Sequence, residues 1–162
     1  MNRVLELNTG EKFIRVQPAV ILKDLQDYVE SKKIFYPPDP TDRNCFIGAN
    51  VATNASGART FKYGATRNFV LGLKVVLPGG EIISIERGKC FASKLEARLI
   101  SESGKKISFT LPYYKIPNTK NAAGYFCMEN MDLIDLFIGS EGTLGIITEI
   151  KLKVIDLPKS VL

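Results

Sequence analysis

Along most of this chain, apolar and polar positions alternate in paired short runs, the pattern of strands joined by tight turns. Residues 4–7 and 12–17 alternate on either side of Asn8-Thr9-Gly10-Glu11 and predict a β-hairpin. Residues 68–77 and 81–87 do the same around Pro78-Gly79-Gly80, and residues 95–101 and 105–111 around Glu102-Ser103-Gly104. Residues 145–155 predict a further strand, with Ile146, Ile150, Leu152 and Val154 on one face and Glu149, Lys151 and Lys153 on the other. The period lengthens twice. Residues 21–33 place Ile21, Leu22, Leu25, Tyr28 and Val29 on one helical face, with Lys32 and Lys33 near the C-terminal end, and residues 131–138 predict a short helix. Hairpins dominate and nothing alternates as βαβ. The expected class is α+β, an antiparallel β-sheet with flanking helices, in one domain over residues 1–162.

The segments between these elements carry the candidate chemistry. Phe35-Tyr36-Pro37-Pro38-Asp39-Pro40-Thr41 cannot be regular structure, because its prolines force an extended run. Residues 48–58 and 112–124 read as irregular. Segments 36–41, 48–57, 118–125 and 139–148 are rich in Gly, Ala, Asn, Ser or Thr and poor in bulky side chains. Residues this small let main-chain groups line a site for a planar polar ring. Gly139, Gly142 and Gly145 make the last segment the densest in glycine. It reads either as backbone brought close to something flat or phosphorylated, or as a helix C-cap followed by a turn into a strand.

Composition narrows the chemistry. A net charge of +5 from scattered Lys and Arg forms no basic stripe with interleaved aromatics, so nucleic acid is not an expected partner. No run reaches membrane-spanning length. Cys45, Cys90 and Cys127 have no paired spacing, which argues against a disulfide framework or a metal site and for a reducing, cytoplasmic compartment. There is no histidine, so the commonest general base and metal ligand is missing. No catalytic residue is expected within the chain.

Six motifs in order resemble the FAD-linked oxidase family, which includes glycolate oxidase flavoprotein subunits and D-lactate or D-2-hydroxyglutarate dehydrogenases. They are Tyr36-Pro37-Pro38-Asp39-Pro40-Thr41, Gly48-x-Asn50-Val51-Ala52-Thr53-Asn54-Ala55-x-Gly57, Lys62-Tyr63-Gly64, Val70-Leu71-Gly72-Leu73, Lys120-Asn121-Ala122-Ala123-Gly124-Tyr125 and the stretch 135–148. The resemblance implies FAD as cofactor, FMN being less suited, and the second subdomain of the vanillyl-alcohol-oxidase (PCMH) type of FAD-binding domain. It implies that Pro38, Asp39 and Thr41 lie along the flavin and ribityl region. Gly48, Asn50, Thr53, Asn54 and Gly57 would approach the isoalloxazine and pyrophosphate, and Glu141, Gly142, Gly145, Ile146 and Thr148 the adenosine end. Tyr63 and Gly64 are expected to support their loop; Tyr125 reads as either a ligand or a support, with packing put first.

The chain differs from the usual pattern at Ala49 and Ser56, where glycine is common, and at Asn68, where aspartate is. A Cβ at the first two narrows a loop and disfavours positive φ. The family's glycine-rich pyrophosphate loop and its cap domain have no counterpart in the sequence. The expectation is therefore a partial FAD-binding domain, inactive alone, completed by a separate chain or pairing as a homodimer through an exposed apolar face. The alternative is a degenerate domain without flavin, serving as a binding module or remnant.

Overall fold

A computed structural model describes residues 1–117, 119, 121 and 124–159. Five strands form the main sheet: β1 (Val4–Asn8), β2 (Phe13–Val16), β4 (Val70–Val76), β5 (Ile82–Glu86) and β8 (Ile146–Lys153). Their order is β1-β2-β8-β4-β5, and every neighbouring pair is antiparallel. The β1–β2 and β4–β5 hairpins are the two predicted from alternation. The late strand β8 enters between them and joins two local hairpins into one sheet. The third predicted hairpin, β6 (Glu96–Ile100) with β7 (Lys106–Thr110), stands apart as a two-stranded sheet. A second two-stranded sheet pairs β3 (Ile34–Phe35) with β9 (Ile155–Asp156). This α+β architecture is the one expected.

Helix α1 (Leu22–Ser31) forms where the helical period predicted it and buries Leu22, Leu25, Gln26 and Val29. Its apolar side chains share one core with Ile14, Val16, Val70, Leu73, Ile150 and Leu152 of the sheet. Gln26 has a second task. Its amide nitrogen donates to the Pro38 carbonyl at 3.0 Å, and its carbonyl oxygen accepts from Arg43 Nε at 3.0 Å. The proline-rich strap is thereby pinned to the helix.

Four expectations are corrected. Residues 48–58 are not wholly irregular, because Ile47–Ala52 forms a helix, α2, that buries Ile47, Asn50 and Val51. The apolar pair four residues apart supplied the helical face, and the small residues around it masked the period. The 131–138 helix contracts to α3 (Ile134–Phe137), because Asp132 is held in an isolated bridge to Phe91. Before β4, Thr66–Phe69 is a 3₁₀ turn, so the strand begins at Val70 and not at residue 68. Ile146 does not share the buried face of Ile150 and Leu152; it is 65% exposed. The pairing passes from Lys74↔Glu149 to Val75↔Ile147, so Thr148 is one extra residue on β8 and the side-chain alternation flips there. Ile147 packs on the core in its place.

Candidate functional site

Two small-residue segments far apart in sequence meet through their backbones. Helix α2 leaves orphan carbonyls at its C-terminal end, as every helix does. The Val51 carbonyl accepts from Gly139 N–H at 3.0 Å, and the Ala52 carbonyl accepts from Glu141 N–H at 2.8 Å. Asn54 follows the helix in the left-handed region at φ 49°, a conformation asparagine tolerates. Its side-chain oxygen accepts from Arg67 N–H at 3.0 Å. Glu141 (φ 52°) and Gly142 (φ 77°) continue the left-handed turn beyond Gly139.

This junction borders two hollows. On one side, Gly48, Ala49 and Ala52 of α2 and Gly142, Gly145 and Ile146 line an open apolar groove of about 340 Å³, with Phe46 and Pro18 also at its wall. On the other, Thr53, Asn54 and Gly139 border a more polar cavity of about 300 Å³ that also meets Arg67, Tyr125 and Phe126. Pro38, Asp39 and Gly57 lie outside both hollows, in the strap and the loop it covers. The Asp39 carboxylate pairs with Arg59 Nε at 3.4 Å, and Thr41 is exposed beyond it. Thr148 is the bulge residue, its hydroxyl donating to the Lys74 carbonyl at 3.3 Å. Tyr63 meets Phe35 edge-on at 6.0 Å. Tyr125 does more than pack, since its hydroxyl bonds the Thr143 hydroxyl at 2.7 Å. Of the predicted 118–125 segment, Asn118, Lys120, Ala122 and Ala123 lie outside the described residues.

Several glycines are explained by protein contacts. A Cβ on Gly48 would come 2.6 Å from Pro18 Cβ, and one on Gly145 would come 2.7 Å from the Val76 carbonyl oxygen. Gly142 is different, because its φ is positive and nothing lies within 4 Å of where its Cβ would be. Ala49, Ser56 and Asn68 are absent from the positive-φ positions, so none of the three departures strains the backbone.

The electrostatic centre escaped sequence reading. Arg67 Nη1 donates to the Asp135 carbonyl at 2.6 Å and to its carboxylate at 3.0 Å, while Nη2 donates to the Ile138 carbonyl at 2.5 Å. Arg87 Nη1 and Nη2 grip the same carboxylate at 3.1 and 2.9 Å, and its Nε bonds the Val70 carbonyl. Burial pulls Arg67 below the usual guanidinium range, and Asp135 pulls it back up. The three charges lie 68 and 48 residues apart in sequence, and no local pattern marks them as partners.

The sequence pattern of the family described as an FAD binding domain matches residues 1–86, just over half of the chain. The chain belongs to the FAD binding domain family. FAD is accordingly its cofactor. Relatives within reach are longer enzymes. A D-lactate dehydrogenase from Anaerostipes hadrus is 39% identical over 162 residues, which is 100% of this chain and 27% of that protein. The glycolate oxidase subunit GlcD of Bacillus subtilis (strain 168) is 38% identical over 161 residues, 99% of this chain and 27% of its own length. A D-2-hydroxyglutarate dehydrogenase from Stutzerimonas stutzeri (strain A1501) is 35% identical, over 92% of this chain and 25% of its length. The chain spans about a quarter of these curated relatives. An alkyldihydroxyacetonephosphate synthase structure shares the fold, with a TM-score of 0.65 at 24% identity, covering 99% of this chain and 22% of that one. No helix among the described residues is long and apolar enough to cross a membrane.

The FAD binding domain assignment has a physical test within the site. Asn50 is buried, its side-chain oxygen accepts from the Cys45 thiol at 3.0 Å, and its Nδ2 has no partner among the described residues. Arg59 Nη1, in the loop that Asp39 covers, is also buried without one. Unmet buried donors are costly; Asn50 lies in α2, whose Gly48, Ala49 and Ala52 line the apolar groove, while Arg59 lies in the loop under the proline-rich strap. Donors beside an apolar wall suit a flat heteroaromatic ring with polar edges. The residues present fit the cofactor.

Proposed function

We propose that this chain forms one wall of the flavin site in an FAD-dependent oxidoreductase acting on a 2-hydroxy acid of the glycolate or D-lactate type. It would be the second subdomain of a PCMH-type FAD-binding domain. The observation that carries this reading is the lacing of α2 to the Gly139–Gly142 turn, which brings the two most ligand-like segments to one groove. Gly48, Asn50, Thr53, Asn54 and Gly57 would hold the ring and pyrophosphate side of FAD. Glu141, Gly142, Gly145, Ile146 and Thr148 would serve the adenosine side, and Pro38, Asp39 and Thr41 the ribityl side. The bound flavin supplies a hydride acceptor. The chain's own contribution is placement: Asn50 offers its unmet amide, and Gly142 leaves space where a Cβ would intrude. The apolar groove keeps water from the face laid against it.

The chain has no histidine, the commonest general base, and alone it would be inactive. A separate chain, or a second copy of this one, would cover the groove. The separated free cysteines support a cytoplasmic setting. No observation favours the flavin-free alternative, since the departures at Ala49 and Ser56 sit in unstrained backbone.

The test is a titration of the purified chain with FAD, read by flavin fluorescence and visible absorbance, with FMN as control. Saturable FAD binding is expected at roughly micromolar concentration, with FMN weaker. Gly142→Val, which forces a β-branched side chain to positive φ in the groove, is expected to weaken it at least tenfold, and Glu141→Ala to weaken it less. A folded chain that leaves FAD unchanged at high concentration, or turns over D-lactate or glycolate with FAD and a dye acceptor, overturns this reading.

A further inference from the structure

The β6–β7 hairpin is a sheet of only two strands. Two strands are marginal by themselves, and further strands stabilise them. The free side of β6 is already occupied. Ser93 and Glu96 exchange backbone hydrogen bonds there at 2.8 and 2.9 Å, and the Cys90 thiol donates to the Arg98 carbonyl at 3.4 Å. The free side of β7 is open. Leu111 N–H donates to the Leu95 carbonyl at 2.7 Å and Ser101 N–H to the Lys105 carbonyl at 2.9 Å, which fixes the phase of the ladder. In that phase Ile107 and Phe109 direct their backbone groups at β6, while the N–H and C=O of Lys106, Ser108 and Thr110 point outward. All three residues are exposed, and these groups have no partner among the described residues. The outer strands of the main sheet are blunted. β1 is irregular between Val4 and Glu6, and the Ile82 carbonyl of β5 accepts from Glu102 N–H at 2.8 Å. β7 instead runs through an unbroken register with β6.

We propose that β7 is a self-pairing edge, across which two copies of this chain join antiparallel about a two-fold axis at Ser108. That register uses every outward group. Ser108 exchanges both hydrogen bonds with its own copy, and Lys106 exchanges both with the partner's Thr110. Centring the axis on Ile107 or Phe109 would leave outward groups at one end of each strand without a strand partner. On the inner face Ile107 lies against the partner's Phe109, an aromatic and β-branched pair of the kind that stabilises neighbouring strands. Both side chains already pack half-buried on the core, so the second copy covers what each still exposes. A lysine on an edge ordinarily discourages a second strand. Here Lys106 stands across from the partner's Thr110, and in each chain the Thr110 hydroxyl donates to the Glu96 carboxylate at 2.9 Å. Lys105 is held by Glu81, while Lys106 and Glu96 have no ion-pair partner among the described residues. Each lysine therefore approaches an unpaired carboxylate of the other copy. The contact is separate from the flavin groove, since no residue of β6 or β7 lines that groove. One strand of 5 residues buries less than a stable interface needs, so the dimer is a weak one.

The test is sedimentation velocity of the purified chain from micromolar to millimolar concentration, with and without FAD. Self-association is expected with a Kd on the order of 100 μM, unchanged by FAD. Ser108→Pro is expected to weaken it about tenfold or more, because it removes an outward N–H that β6 does not use, at an edge position where proline is tolerated. Ser108→Cys keeps the question open to decision if the proline variant does not fold. At the axis its Cα would lie about 5.5 Å from its own copy, within disulfide reach. Mild copper-phenanthroline oxidation is therefore expected to give a covalent dimer. Thr110→Cys would stand opposite Lys106 and is expected to crosslink no more than the native chain, whose Cys45, Cys90 and Cys127 set the baseline. A monomer throughout the range, undiminished association of folded Ser108→Pro, equal crosslinking at positions 108 and 110, or dissociation of the dimer by FAD would each overturn the self-pairing edge. Failure of FAD to bind would instead strike the flavin reading alone, since the sedimentation and crosslinking results need no cofactor.

Discussion

Gly57→Ala is expected to destabilise the chain by about 3 kcal/mol, the upper range for forcing atoms into a packed site. An added Cβ would lie 1.7 Å from the Asp39 carbonyl oxygen, 2.4 Å from its carbon and 2.8 Å from Pro40 Cα. All three are backbone atoms. The strap they belong to cannot move aside easily, because Pro37, Pro38 and Pro40 restrict its dihedrals and Gln26 holds the Pro38 carbonyl. The loop cannot withdraw either: Gly57 N–H donates to the Thr60 hydroxyl at 2.7 Å, and its carbonyl accepts from Thr60 N–H at 3.0 Å. Gly79→Ala is the matched control. Its Cβ would come 2.4 Å from Glu81 Oε2, the far end of a side chain that can swing away, so the loss should be about 0.5 kcal/mol or less. Urea unfolding of both variants checks the pair, and equal losses would show that the strap does not clamp this loop. If the strap also borders the flavin, Gly57→Ala weakens FAD binding beyond what its stability loss explains.

Asp135→Asn is expected to cost about 3 kcal/mol, the lower end for removing one partner of a buried ion pair. The carboxylate is 12% exposed, and it alone receives both Arg67 (18% exposed) and Arg87 (29% exposed). An amide offers one oxygen where two guanidinium groups now share two, and it brings no charge. The remaining cations would repel each other, with Asp132 touching only Arg87. The energy lies in leaving charges unpaired, so a second change should recover part of it. Arg87→Met in the Asp135→Asn background is expected to be more stable than Asp135→Asn alone. A loss below about 1 kcal/mol for Asp135→Asn, the range of surface pairs, would mean that water already screens the cluster.

The same cluster marks where sequence reading stopped. Asp135 opens the glycine-rich motif and Arg67 precedes β4, and each alone resembles an ordinary surface charge. The pairing requires the chain to return after 68 residues, which no local period encodes. Helix α2 was hidden for a different reason. Ile47 and Val51 give only one apolar pair within six residues, while Gly48 and Asn50 between them disfavour a helix. The helix persists because Gly48 lets it press on Pro18, with Gly48 N–H donating to the Pro18 carbonyl at 2.8 Å. The exposure of Ile146 turned on a single inserted residue, Thr148, since strand alternation has period two and one extra residue reverses it.

The sequence by itself determined the local elements and the chemistry within reach. Alternation around tight turns specified all three hairpins, a helical stripe specified α1, and the prolines specified an extended strap, because each depends on near neighbours. The lack of histidine and the ordered motifs pointed to a flavin wall in place of a self-sufficient catalyst. Tertiary structure alone decided that β8 lies between β2 and β4, that the turn after Gly139 caps α2, and that Arg67 and Arg87 share one carboxylate. Those outcomes come from burying apolar faces and satisfying buried polar groups across long chain separations, and they are settled only when the whole core closes.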